Sequence, residues 1–99
     1  RHIFGIAVTR LKTHFESSDK PIYFQLFELY HLADETEART LTYDQLATRF
    51  GISVSNVTNF LASARREFRK IVLEELQNVT ATEQEFRQEA RELLGIDPP

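Results

Sequence analysis

Apolar positions recur at three- and four-residue intervals along almost the whole chain. Ile3, Phe4, Ala7, Val8, Leu11 and Phe15 form one such stripe, the pattern of a helix with a single buried side. A polar break, Ser17-Ser18-Asp19-Lys20, precedes Pro21. Proline suits a first helical turn because the N–H it lacks would be unpaired there. The segment from Pro21 carries Ile22, Tyr23, Phe24, Leu26, Phe27, Leu29, Tyr30 and Leu32. It is apolar or aromatic on nearly every side and is predicted as one helix lying between other elements.

Residues 33–39 (ADETEAR) show no apolar period and read as an exposed linker. Start signals then become dense. Thr42 with Gln45 makes a capping box, and Leu41 with Leu46 supplies the apolar pair that sets the direction in which the chain enters the helix. A third helix is predicted from Tyr43 to Phe50, closed by Gly51, and Ser53 is placed to cap a fourth two residues later. That fourth helix keeps its stripe through Val57, Leu61, Ala64, Phe68, Ile71, Val72 and Leu76, a length of roughly 35 Å. Thr82 with Glu85 opens a fifth, and Gly95 ends it before Asp-Pro-Pro. No segment alternates as a strand does. The expected architecture is all-α, a compact domain of four to five helices containing a helix-turn-helix. Residues 1–38 pack on the core, 39–77 hold the helix-turn-helix with its long recognition helix, and 78–99 append a short acidic one.

The 99 residues, with 41% hydrophobic content, suffice for one packed core and not for two. With no cysteine there is no disulfide, thiolate nucleophile or sulfur-held zinc. The run from Ile22 to Leu32 is too short to span a bilayer and no secretory signal is visible, so no membrane association and a cytoplasmic location are expected. Without an initiator methionine the chain reads as a piece of something longer. The net charge of −3 hides a gradient: residues 1–38 carry 4 basic and 6 acidic side chains, 39–70 carry 6 and 2, and 71–99 carry 2 and 7. A basic middle in an acidic chain fits a small footprint on a polyanion or a solvated helix face.

The pair of helices from Tyr43 to Leu61 fits the steric pattern of a DNA-reading helix-turn-helix. Ala47 is small where the helices cross, Gly51 allows the turn, and Leu46, Phe50, Ile52, Val57 and Phe60 hold one helix across the other. At about 100° per residue, Val57, Ala64, Phe68 and Val72 share the side of Leu61, and Ser55, Asn56, Asn59, Ser63, Arg66 and Lys70 fall on the opposite side. Short polar side chains in the first turns can read base edges, whereas Arg66 and Lys70 suit phosphates. Ser53 and Thr58 belong to the same first turns. The Thr42 and Tyr43 hydroxyls, beside unpaired N–H groups, and the charges of Arg39 and Arg49 suit a further phosphate.

The stretch Leu41–Lys70 resembles region 4 of bacterial sigma factors, particularly the small extracytoplasmic-function type. The resemblance lies in Thr42-Tyr43, Leu46-Ala47, Gly51-Ile52-Ser53, Val57 and Ala64-Arg65-Arg66, and the helix from Pro21 looks like that family's preceding apolar helix. It implies a transcription initiation factor that reads a promoter −35-type element through the fourth helix and docks on the flap of the RNA polymerase core, with an anti-sigma or other regulatory protein as a further partner. The base-reading positions it implies are Val54, Ser55, Asn59 and Ser63. The chain departs from the family in its longer linker, in a second helix without the usual arginine, and in the acidic fifth helix.

Two other readings remain: a protein-interaction module of sigma-like fold with little or no DNA binding, and a dimeric helix-turn-helix repressor presenting two recognition helices about one DNA turn apart. An enzyme is not expected. His2, His14 and His31 stand singly, and no paired-carboxylate, nucleophile or phosphate-loop motif occurs, so neither a metal nor a cofactor is called for.

Overall fold

The stop signal after the first stripe is a left-handed residue. In the computed structural model, which describes residues 2–32, 41–79 and 82–95, helix α1 spans His2–Ser17. It closes where Asp19 takes φ 60°, with Lys20 N–H donating to the Phe15 carbonyl at 2.8 Å and Asp19 N–H to that of Glu16 at 3.2 Å. These are the two crossed bonds of a Schellman ending. The polar tetrapeptide is therefore a cap, and Pro21 starts α2 (Pro21–Phe27) directly after it.

Beyond Phe27 the structure differs from the single helix the sequence predicts. Residues 28–32 wind as a π-helical turn, which widens the helix locally and turns Tyr30 and His31 toward the pair that follows. The predicted linker, Arg39 included, lies outside the described residues, as does the Asp-Pro-Pro end.

Helix α3 (Tyr43–Phe50) opens with the capping box in full. Thr42 Oγ1 accepts from Gln45 N–H at 3.1 Å, and Gln45 Oε1 accepts from Thr42 N–H at 2.8 Å. At its end Gly51 sits at φ 66°, ψ 35°, and Ile52 N–H reaches the Ala47 carbonyl at 3.0 Å. Ser53 Oγ then accepts from Asn56 N–H at 3.0 Å, and α4 begins at Val54 and runs to Val79, about 39 Å at the usual rise. Helix α5 (Glu83–Leu94) starts with Thr82 Oγ1 accepting from Glu85 N–H and ends at a left-handed Gly95. The described residues contain no strand.

Helix α4 is the spine, packed against by each of the other four, and its length gives the molecule a 46 Å long axis. One apolar cluster joins all five helices, from Ala7, Leu11 and Phe15 of α1 to Phe86 and Ala90 of α5. Aromatic rings fasten the first half of α4: Phe60 stacks on Tyr23 at 4.3 Å and 17°, and Tyr23 meets Phe15 at 5.3 Å. Arg10 forks to Glu74 at 2.9 Å and Glu75 at 2.8 Å, tying α1 to the second half of α4.

Gly51→Ala is expected to cost about 1–2 kcal/mol, the penalty of a left-handed conformation for a residue with a Cβ. An added Cβ there meets no atom within 4 Å, so the loss is one of backbone strain alone. Thermal unfolding should show it, with the helical far-ultraviolet signal of the folded state unchanged.

Candidate nucleic-acid interface

The first two turns of α4 leave one side open to solvent. Val54 is 41% exposed, and Ser55, Asn56, Thr58 and Asn59 are exposed with it, while Val57 and Leu61 on the opposite side are fully buried. The turn of Gly51 and the cap of Ser53 hold this end of α4 against α3, so its polar side chains stand on a fixed backbone. Ser63, one turn further on, is half-buried and less accessible than the other candidates on α4. Arg66 and Lys70 continue the same face and are both exposed. The face therefore runs from short hydrogen-bonding groups to two cations.

Several of the candidate hydroxyls have structural work. Ser53 Oγ is the cap of α4, and Thr58 Oγ1 donates to the Val54 carbonyl at 3.1 Å. Thr42 Oγ1 and its N–H are both engaged in the capping box. Tyr43 is half-buried, its hydroxyl accepts from Arg65 Nη2 at 3.0 Å, and its ring meets Tyr30 edge-on at 5.2 Å. The amino end of α3 is thus less open to a phosphate than the sequence predicts, and Asp44 adds a carboxylate in its first turn. Arg49 is exposed in the last turn of α3. The groups left free for bases are Ser55, Asn56 and Asn59, with Val54 available for apolar contact.

Where α5 joins α4, Phe86 sits beside Arg66, Arg69, Lys70 and Gln77 along a shallow groove. The acidic helix borders the cationic end of the face and leaves the first turns uncovered. Glu74 lines this groove as well, but its Oε1 accepts from Arg10, which offsets its charge from the side of α1. Glu83 is paired within α5 with Arg87 at 3.1 Å.

Sequence reasoning missed the cluster behind Tyr43. Arg65 Nε donates to His31 Nε2 at 2.8 Å, and its guanidinium lies 5.8 Å from the Tyr30 ring centre. The π-helical turn, α3 and α4 are thereby joined through one side chain. The signal for it was the wheel position of Arg65, about 40° from Leu61, at the edge of the buried side. Partial burial, and secondly the neighbouring Arg65 charge, hold His31 below the ordinary histidine value. The unfolded chain therefore binds the proton more readily than the folded one, and acid favours unfolding. This contribution is complete above pH 6.5 and is lost as pH falls below it toward the lowered folded-state value. The urea midpoint is expected to fall across that window, and His31→Gln, which keeps a neutral acceptor, should flatten this part of the profile.

Among the described residues no three His, Asp or Glu side chains converge as a metal site, and no helix is long and apolar enough to cross a membrane. Compared with known proteins, the chain matches no family model, no curated protein and no solved structure.

Proposed function

We propose that this chain is the DNA-reading module of a sigma-like bacterial transcription factor, with α4 set in the major groove of a promoter −35-type element. The observation that carries the reading is the first two turns of α4. They expose Ser55, Asn56 and Asn59 on a helix whose other sides are packed, and Arg66 and Lys70 extend the same face. Side-chain amides can make paired hydrogen bonds to adenine, and cations two and three turns along can hold the flanking phosphates. That the element belongs to a promoter, and that the module docks on the flap of the RNA polymerase core under the control of an anti-sigma or other regulator, rests on the likeness of Leu41–Lys70 to sigma region 4. A cytoplasmic location goes with this reading.

The test is selection of duplexes from a randomised pool by the 99-residue chain, followed by titration of the enriched sequence and of a scrambled one. Asn59→Ala is expected to weaken the enriched duplex by about 1–3 kcal/mol and the scrambled one hardly at all. Equal loss on both would remove Asn59 from base reading, and failure to enrich any sequence would remove the function.

The acidic α5 beside the cationic end of the face favours a second reading, a sigma-like module that binds protein and has little affinity for DNA. Capture of purified core polymerase by a chain that enriches no duplex would establish it. A dimer in sedimentation equilibrium would instead point to a two-fold repressor.

A further inference from the structure

Helix α4 carries two cation pairs at four-residue spacing, and they face different ways. Arg66 and Lys70 belong to the Asn59 side, whereas Arg65 and Arg69 lie about 40° and 80° from Leu61. The second pair lines a groove of about 410 Å³ whose apolar walls include Phe4 of α1, Phe27 of α2, Phe68 of α4 and Leu93 of α5. Phe4, at its lip, is 43% exposed and touches Phe68 edge-on at 5.6 Å. Arg65 is held by the neutral acceptors His31 and Tyr43. Arg69 Nε is shut off from solvent and meets no hydrogen-bond acceptor. Among the described residues neither guanidinium has a carboxylate partner, in contrast to Arg10 and Arg87.

The geometry points to a docking site for an acidic amphipathic segment of another protein, its apolar side chains set between Phe4, Phe68 and Leu93 and its carboxylates on Arg65 and Arg69. Charge complementarity selects that occupant. A guanidinium at the edge of an apolar surface is best matched by a carboxylate, which accepts two of its N–H bonds at once. The groove lies between helices, the setting in which an amphipathic helix places its apolar face. A second copy of this chain has no described helix to offer, because the apolar sides of α1 and α5 are buried in its own core. A DNA backbone would leave the aromatic walls unfilled, and an overall charge of −3 disfavours an anionic lipid surface. Arg69 also borders the groove of Arg66 and Lys70, but the remaining residues of the site lie off the DNA-reading face, and the proposal stands or falls separately from DNA reading.

The test uses the 99-residue chain and a fluorescein-labelled helical peptide of about twelve residues, with Leu and Phe at i, i+3, i+4 and i+7 and Glu at most other positions. With the peptide held at low concentration, its anisotropy is expected to saturate below about 1 mM of the chain. Arg69→Gln is expected to weaken binding about tenfold, the loss of one charge-assisted contact, and Phe4→Glu about tenfold as well, through a lost apolar contact and repulsion of the peptide's carboxylates. Arg66→Gln and Lys70→Gln, each measured alone, should leave it unchanged. Circular dichroism reports whether each variant is folded, and Phe4→Glu, at an exposed site, decides the matter if Arg69→Gln unfolds. The proposal is overturned by the absence of saturation, by equal binding of a peptide with the same residues scrambled off one face, or by equal loss in the Arg66 and Lys70 variants. It is also overturned if the chain dimerises through Phe4, or if Arg69→Gln weakens duplex binding as much as Arg66→Gln does.

Discussion

Leu61→Ala is expected to lower the stability of the chain by about 2–5 kcal/mol, the usual loss when a fully enclosed leucine is cut to its first carbon. Leu61 is 0% exposed and sits in the half of α4 where the rings of Phe60, Tyr23 and Phe15 join α2 and α1 to that helix. The removed atoms leave a cavity that α4, anchored by four neighbours, cannot close by shifting. A domain of this size has about 5–15 kcal/mol in total, so the variant loses a large share and unfolds at markedly lower urea. Asn59→Ala, two residues away on the open face, should stay within about 0.5 kcal/mol of the parent. Urea unfolding followed by circular dichroism separates the two, and a Leu61 variant as stable as the parent would contradict the packing described.

The double variant Arg66→Gln/Lys70→Gln is expected to weaken binding to every duplex alike. On the proposed reading each side chain supplies a charge-assisted hydrogen bond of about 1.5–3 kcal/mol, or roughly tenfold or more in affinity. Each phosphate contact also releases counterions, so the slope of log affinity against log salt should flatten by about 0.9 per contact, nearly two for the pair. Sequence preference should survive, because the proposed reading assigns it to Asn56 and Asn59 at the other end of the face. Titrations at several salt concentrations measure both quantities. A changed preference with an unchanged slope would place the two cations at base edges instead.

These outcomes draw on different kinds of information in the chain. The capping residues Thr42, Gln45 and Ser53, the break at Ser17–Lys20 and the left-handed ends at Gly51 and Gly95 were legible because each acts within a few residues of its partner. The open face of α4 was legible because helical period alone sorts Asn59 from Leu61. The π-helical turn at 28–32 was not, since apolar side chains on every side of that segment carry no period to place a change of winding. Nor were the engagements of Tyr43 and Thr58, because a hydroxyl looks the same in sequence whether it is free or bonded.

By itself, then, the sequence determined which segments are helical and, for all but the second, where they stop and which side is apolar, all consequences of backbone bonding and side-chain polarity over a turn or two. Only the tertiary structure decided that α4 is the common partner of the other helices, that Arg65 bridges His31 and Tyr43 across 34 and 22 residues, and that α1 and α5 bring Phe4 and Leu93 to one groove. Those contacts join side chains far apart in the chain. Their pairing depends on how whole helices fit together, which no local pattern encodes.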